Sequence, residues 1–342
     1  MSPESDQPTA EDTDGDTAST HTTRLTRRQL LRVGSAASAV SLVGGTGTAI
    51  WTDRIVDSAE ERFPPAGTVT TIDGDRVHHV IGGTGSPVVL IHGDGGTVFD
   101  WTYSAFDRVS EGFQAIAVDR PGFGYSDPPG ALGSPFAQAR RIRAALDDRD
   151  VTRPVLVGHS RGASVALAYA ASFPESVAGV VDLAGQPYAQ DPSPLHFRVL
   201  TWPVLGSLLA ETVYVPFSRG QIAAGIRAAF EPEGTPPADY VDAYVAMERR
   251  PGQLRAHAYD SVRAPAMHDR LIPQYEGLEC PVAVVHGTAD RNVPVEQARR
   301  LHREAPMTEM YEIEDAGHEL AFYHPETLIE AIDWVLTAGE RF

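Results

Sequence analysis

Short apolar runs punctuate the chain at Pro87 to Ile91, Phe113 to Val118, Val155 to Val157, Val177 to Leu183 and Pro281 to Val285. Runs of this length with little polar alternation predict strands buried on both faces, as in a parallel sheet. Ahead of them the pattern alternates instead. Thr68 to Ile72 and Arg76 to Ile81 flank Asp73-Gly74-Asp75 and close on Gly82-Gly83, which predicts an antiparallel hairpin. Met310 to Ile313 reads as the last strand, and helical segments fall between most of the others. Such alternation predicts an α/β fold built on a mostly parallel, doubly wound sheet, with the functional loops at the C-terminal ends of the strands.

Between about Pro187 and Leu278 the pattern changes to helical pieces near Leu195 to Leu209, Arg219 to Phe230, Pro237 to Arg249 and Gln253 to Asp269, without a convincing buried strand. The expected organisation is a core of residues 61–186 and 279–342, with residues 187–278 as a helical cap inserted near the sheet's C-terminal edge. A separate helical domain is the alternative. A cap of this kind would shape a pocket and exclude water.

Residues 1–60 are expected to lie outside the folded body. The first 23 are polar, with six acidic residues and no Lys or Arg, as in disordered segments. Then Arg27-Arg28 precedes the charge-free stretch Val33 to Trp51, a sequence that resembles a twin-arginine export signal. That stretch sits at the lower edge of a membrane span and no clean small-x-small cleavage site follows it, so a cleaved signal and a retained membrane anchor through residues 33–51 both stay open. The expected location is extracellular or on the outer face of the membrane. Arg62 to Gly67, with its paired prolines, leads into the fold.

At 342 residues the chain can bury a large core. Acidic residues outnumber basic ones 46 to 28, for a net charge of −18, and every basic residue is arginine. Nucleic acid is a poor partner for such a surface. An acidic, lysine-free composition resembles that of proteins from salt-loving archaea, where salt screens the repulsion; a GC-rich genome that writes Arg for Lys gives the same composition. The single cysteine, Cys280, excludes an intrachain disulfide and a cysteine metal cluster.

The candidate chemistry centres on Val155 to Gly162, where an apolar run breaks into Gly158-His159-Ser160-Arg161-Gly162 and then into the small, helix-forming Ala163 to Ala171. Gly-x-Ser-x-Gly between a strand and a helix is a turn that strains the serine backbone and projects its Oγ clear of the sheet. A serine needs a base within reach, and the base needs a third group to fix its tautomer. Asp290 lies just past the strand Pro281 to Val285, and His318 follows the last strand through Glu314-Asp315-Ala316-Gly317. Asp182 competes as the acid but falls within a strand-like run, which favours Asp290.

Taken together, His92-Gly93, Asp119-Arg120-Pro121-Gly122-Phe123-Gly124, the elbow at Ser160, His286-Gly287-x-x-Asp290 and Gly317-His318 resemble the α/β-hydrolase group that includes esterases, epoxide hydrolases, haloalkane dehalogenases and meta-cleavage-product hydrolases. The resemblance implies Ser160 as nucleophile, His318 as base and Asp290 as its orienting acid, and it implies an oxyanion hole made of the backbone N–H groups of Asp94 and Arg161. Asp94 departs from the family's pattern, since a carboxylate beside an oxyanion opposes the developing charge unless it is paired or turned away. His92 and His159 belong to the motifs as packing residues, Trp101 and Tyr103 are core or pocket aromatics, and His78-His79 lacks a neighbouring acid or cysteine at metal-ligand spacing. A serine at the elbow excludes the alkyl displacement that epoxide hydrolases and dehalogenases carry out with Asp. Hydroxynitrile lyases of this fold generally use a lysine, which is absent. The expected function is therefore a serine hydrolase of carboxylic esters or thioesters, without metal or organic cofactor, acting on a small acyl substrate. The alternatives are a carbon–carbon bond hydrolase of the meta-cleavage-product type and a non-catalytic ligand-binding protein.

Overall fold

Strands β1 (Thr68–Ile72), β2 (Asp75–Gly82), β3 (Pro87–Ile91), β4 (Gln114–Val118), β5 (Val155–His159), β6 (Gly179–Leu183), β7 (Val282–Gly287) and β8 (Thr308–Ile313) form one sheet in the order β1-β2-β4-β3-β5-β6-β7-β8. The structure is a computed structural model that describes residues 44–130, 132–190 and 193–339. The chain divides into the unit Met1–Thr46, almost wholly outside the described residues, and the unit Gly47–Phe342, which holds the sheet and the helices packed on it. The hairpin β1–β2 and the pair β2–β4 are antiparallel, and every other pairing is parallel.

The continuous apolar runs are explained by what covers the sheet. Side chains alternate between its faces, so Val89 and Ile91 pack with Phe136 and Ile142 of the helix Pro135–Asp147, while Val88 and Leu90 pack with Trp101 and with Leu328 and Ile332 of the helix Pro325–Gly339. Both faces need apolar residues because both are covered. Strand ends differ from the apolar runs by one or two residues: Phe113 is buried ahead of β4 and Val177 ahead of β6, so apolarity there marks burial and not strand pairing.

Between β6 and β7 the chain forms the helices Leu195–Leu200, Pro203–Leu209, Arg219–Ala229, Ala238–Glu248 and Pro251–Leu271. They carry two small apolar clusters of their own, around Leu200 and Leu254 and around Phe230 and Tyr240. Hydrogen bonds tie them to the sheet's loops: Tyr244 Oη donates to Asp94 O at 2.8 Å, Gln253 Nε2 to Gly95 O at 2.7 Å, and Gly124 N to Gln253 Oε1 at 2.9 Å.

One boundary needs correction. The sequence pattern leaves residues 1–60 outside the fold, yet Gly44–Arg62 is a helix whose Thr52 and Ala59 are buried and whose Ile55 packs against the Leu200–Leu254 cluster. The periodicity is hidden because the apolar contacts fall within a stretch rich in Asp, Arg and Glu. Arg27-Arg28 and most of Val33 to Trp51 lie outside the described residues. Among the described residues no helix is long and apolar enough to cross a membrane.

Candidate active site

All parallel strands point the same way, so the loops after β3, β5, β7 and β8 meet at one edge of the sheet. After β5 the chain passes directly into the helix Arg161–Ser172 through Ser160, whose φ of 53° is the strained conformation that the sequence pattern predicts. The elbow has no space for larger neighbours. A Cβ on Gly158 would lie 2.4 Å from the Cα of Ala163, and one on Gly162 would lie 2.3 Å from the carbonyl oxygen of Ile91. The strain is held by backbone bonds on both sides, Ser160 N to Leu183 O at 3.0 Å and Gln186 N to Ser160 O at 2.9 Å.

His318 reaches the same edge after β8 and donates its Nδ1–H to Asp290 Oδ2 at 2.7 Å. The other carboxylate oxygen of Asp290 accepts from the backbone N–H groups of Asn292 at 2.7 Å and Val293 at 2.9 Å. Burial alone would push this carboxyl up; the hydrogen bonds from His286, His318 and Val293 outweigh it and hold Asp290 well below the usual carboxylate range. An ionised partner at Nδ1 leaves Nε2 of His318 as the free acceptor on the cavity side. His159 donates to His318 O at 3.1 Å, and burial drives its own pKa down to about 3, so the adjacent ring stays neutral.

Asp182, the competing acid, does not join this group. It sits in β6, Oδ1 accepts from Gly185 N at 3.0 Å, Oδ2 has no partner among the described residues, and burial pushes its pKa up to about 6. The pair His78-His79 belongs to no metal-binding cluster among the described residues. His78 places Nδ1 2.7 Å from Asp119 Oδ2 and Nε2 2.8 Å from Ala66 O. Ala66 O can only accept, so Nε2 donates; burial lowers the ring's pKa, but the hydrogen bond and charge of Asp119 outweigh it and leave it raised.

The loop after β3 packs close on the elbow, with a Cβ built on Gly93 lying 3.1 Å from the Ser160 Cβ. Arg161 is the first residue of its helix, where a backbone N–H has no intrahelical acceptor. Asp94 follows Gly93 in the loop against the serine, and Arg161 follows the serine itself. The Asp94 side chain is turned onto cations: Arg161 Nη2 lies at 3.3 Å and Arg120 Nη2 at 3.8 Å. Burial would raise its pKa, but Arg161, His257 and Arg120 together bring it down to about 2.

Asp119 and Arg120 stand out in the sequence as motif residues without an evident task. Arg120, fully buried, donates to Gly93 O at 2.8 Å, to Gln138 Oε1 at 3.0 Å and to Asp260 Oδ2 at 2.6 Å, which locks the loop after β3 to the helical insertion. Asp119 accepts from the N–H of Val98, at the end of the loop after β3, and from the N–H of Tyr125 in its own loop after β4, which ties the two loops together.

Ser160 and His318 line one cavity of about 450 Å³, roofed by residues of the helices Arg219–Ala229 and Ala238–Glu248. Trp101 is instead in the core and Tyr103 packs behind Tyr240. The cavity also holds residues that the sequence did not single out: Asp100, Glu319, Tyr240, Tyr244 and His257. Glu319 had a visible signal, its place directly after His318. The tyrosines and His257 come from the insertion, and nothing in their local sequence marks them.

Over residues 88–331 the chain matches the model of the alpha/beta hydrolase family. An uncharacterised protein of Mycobacterium tuberculosis is 27% identical over 285 residues, spanning 81% of this chain and 83% of that one. A hydrolase of Burkholderia vietnamiensis named for 2-hydroxy-6-oxononadienedioate and 2-hydroxy-6-oxononatrienedioate is 28% identical, over 73% of this chain and 87% of the relative. Among solved structures, a thermophilic esterase from Thermogutta terrifontis shares the fold with a TM-score of 0.62 at 24% identity, covering 80% of this chain and 97% of the esterase. With the family match extending from β3 into the helix Pro325–Gly339, the chain belongs to the alpha/beta hydrolase family.

Proposed function

We propose that the protein hydrolyses carboxylic esters through an acyl-enzyme. The observation that carries this reading is the 2.7 Å bond from His318 Nδ1 to an ionised Asp290, on the wall of the cavity that also presents Ser160 on its strained elbow. Ser160 Oγ attacks the acyl carbon while its proton passes to His318 Nε2, and the oxyanion is met by the N–H groups of Asp94 and Arg161. His318 then protonates the leaving alcohol. Water repeats the sequence on the acyl-enzyme, releasing the acid and restoring the serine.

Carbon–carbon hydrolysis would use the same three residues, and the Burkholderia relative supports it. The substrate in that relative's name is a dicarboxylate, however, and two carboxyl groups of this cavity, Asp100 and Glu319, have no cation in contact among the described residues. Whether neutral or ionised, those groups give such an anion no cation to pair with, which favours the ester. Short and medium acyl esters should turn over while an anionic dienoate does not. Ser160→Ala should lose turnover by several orders of magnitude and lose the mass adduct that a fluorophosphonate leaves on the wild type. Retention of esterase activity within a few-fold would refute the assignment.

The enzyme is further proposed to be exported by the twin-arginine route and to work at the outer face of the membrane. The charge-free stretch that ends at Trp51 runs into the helix Gly44–Arg62, where Ile50 and Trp51 stand exposed, and Trp51 makes an edge contact with exposed Phe217 at 5.7 Å. Trp202, Val204 and Leu208 of the insertion are exposed as well. Replacing Arg27 and Arg28 together by Lys should trap the protein in the cytoplasm, read by cell fractionation.

A further inference from the structure

The charges around the cavity can be paired one against another. Asp94 and Asp260 meet Arg161 and Arg120, with the Arg120–Asp260 bridge at 2.6 Å. Glu248 meets His257 at 2.7 Å, and Glu231 meets Arg291 at 2.6 Å. Asp290 is held by His318 and His286. Two acids remain. Asp100 Oδ1 accepts from Tyr240 Oη at 3.3 Å and weakly from Thr97 N at 3.5 Å, and from no cation among the described residues. Glu319 is only 7% exposed, lines the cavity beside His318, and its carboxyl has no hydrogen-bond partner among the described residues.

From this imbalance we propose that the substrate carries a cationic nitrogen, an ammonium on the acyl or the alcohol part of the ester, bound by Asp100 and Glu319 against the rings of Tyr240 and Tyr244. The proposal rests on the ester-hydrolase reading for the chemistry but not for the binding. Aromatic faces beside carboxyl groups suit an ammonium on two counts, charge and the ring quadrupole. The Tyr240 and Tyr244 rings stand 6.1 Å apart, and Tyr240 already touches Asp100.

The protonation chemistry is consistent. Burial pushes Asp100 up to about 7, with Asp119 adding to the shift and Thr97 N–H, Tyr240 and Arg120 opposing it. Burial also pushes Glu319 well above the usual carboxylate range, reinforced by Asp100 and Asp290. Tyr240 and Tyr244 are neutral phenols, raised by burial and by the same acids. A cation entering this site converts neutral acids to carboxylates, so its binding releases protons and strengthens as pH rises.

The test uses folded Ser160→Ala protein, so that no turnover is needed. Calorimetry should find butylammonium binding at least tenfold tighter than butan-1-ol or butyrate. Its affinity should rise between pH 6 and pH 8, with proton release visible as a dependence on the buffer's ionisation enthalpy. In the wild type, a choline ester should exceed its neutral 3,3-dimethylbutyl counterpart in kcat/KM by at least tenfold. Glu319→Gln and Asp100→Asn should each bring that ratio towards one. Equal binding of butylammonium and butan-1-ol, or preference for butyrate, would overturn the proposal even if the protein proves to be an esterase. Cation binding without ester turnover would uphold it and sink the reading of the reaction instead.

Discussion

At the scale of single residues, the site depends on which carboxyl groups stay ionised. Asp94 stands beside the place where an oxyanion would form, and its charge is tolerable because Arg161 and Arg120 take it up. Asp290 is ionised because His318, His286 and two backbone amides converge on it, whereas Asp182, in the middle of β6, has one amide and an orphaned oxygen. Asp290→Asn should therefore cost roughly 10³ to 10⁴ in kcat, because an amide no longer selects the tautomer that leaves Nε2 free. Asp182→Asn should keep turnover within a few-fold. It should also flatten a pH dependence of stability. The folded pKa of Asp182, about 6, lies above that of an ordinary exposed aspartate, so the native state is stabilised by the neutral form at low pH and loses that contribution as pH climbs through about 6. Thermal melts of both variants from pH 4 to pH 8 would test this, and an inactive Asp182→Asn with an active Asp290→Asn would reverse the assignment. The three residues proposed to carry the reaction were legible in the sequence because each follows an apolar run that ends at the same sheet edge. Asp100 was not, since its importance lies in the lack of a cationic partner, which leaves no trace along the chain, and Glu319 showed only its place directly after His318.

At the scale of elements, the turn from β5 into the helix Arg161–Ser172 is the point where packing and chemistry constrain each other. A methyl group on Gly162 would press on the carbonyl oxygens of both Ile91 and His92, at 2.3 and 2.6 Å, and backbone atoms cannot rotate away as a side chain can. Gly162→Ala should displace the loop after β3, lowering the melting temperature and, on the ester-hydrolase reading, turnover as well. Gly252→Ala is the control: that glycine lies in the helix Pro251–Leu271 with nothing within 4 Å of its new Cβ, so the change should stabilise by up to about 1 kcal/mol. Equal melting temperatures for the two variants would show that the elbow is looser than its geometry indicates. The same contrast explains which parts of the fold are legible in the sequence. Strands covered on both faces announce themselves as unbroken apolar runs, and β3 matches its run residue for residue. The helix Gly44–Arg62 does not announce itself, because it buries only a narrow strip, including Thr52 and Ala59, beneath a largely charged surface. How the insertion closes over the cavity is also hidden. That closure is set by long-range bonds such as Gln253 to Gly95 and Arg120 to Asp260, whose partners are more than a hundred residues apart.

At the scale of the whole molecule, a net charge of −18 spread over 342 residues acts on folding through two opposing effects of salt. Salt weakens favourable surface pairs such as Arg299–Glu312 and Arg143–Asp147, but exposed pairs contribute only about 0 to 1 kcal/mol each. It also screens the mutual repulsion of an acidic excess that no lysine relieves, and that repulsion involves every carboxylate within a Debye length, about 30 Å at 0.01 M salt but about 3 Å at 1 M. The buried pairs that organise the site, Arg120–Asp260 and His78–Asp119, lie away from solvent and are screened far less. The second effect should win. The melting temperature should rise steeply from about 0.01 M to about 1 M potassium chloride, where screening is nearly complete, and the proposed ester hydrolysis should recover in parallel. Sucrose matched in osmolality should not reproduce the steep part of the rise, because it excludes itself from the surface without screening charge. Full stability and turnover at about 10 mM salt would mean that the acidic surface is spaced widely enough to need no screening, and the salt-adapted reading of the composition would fall with it.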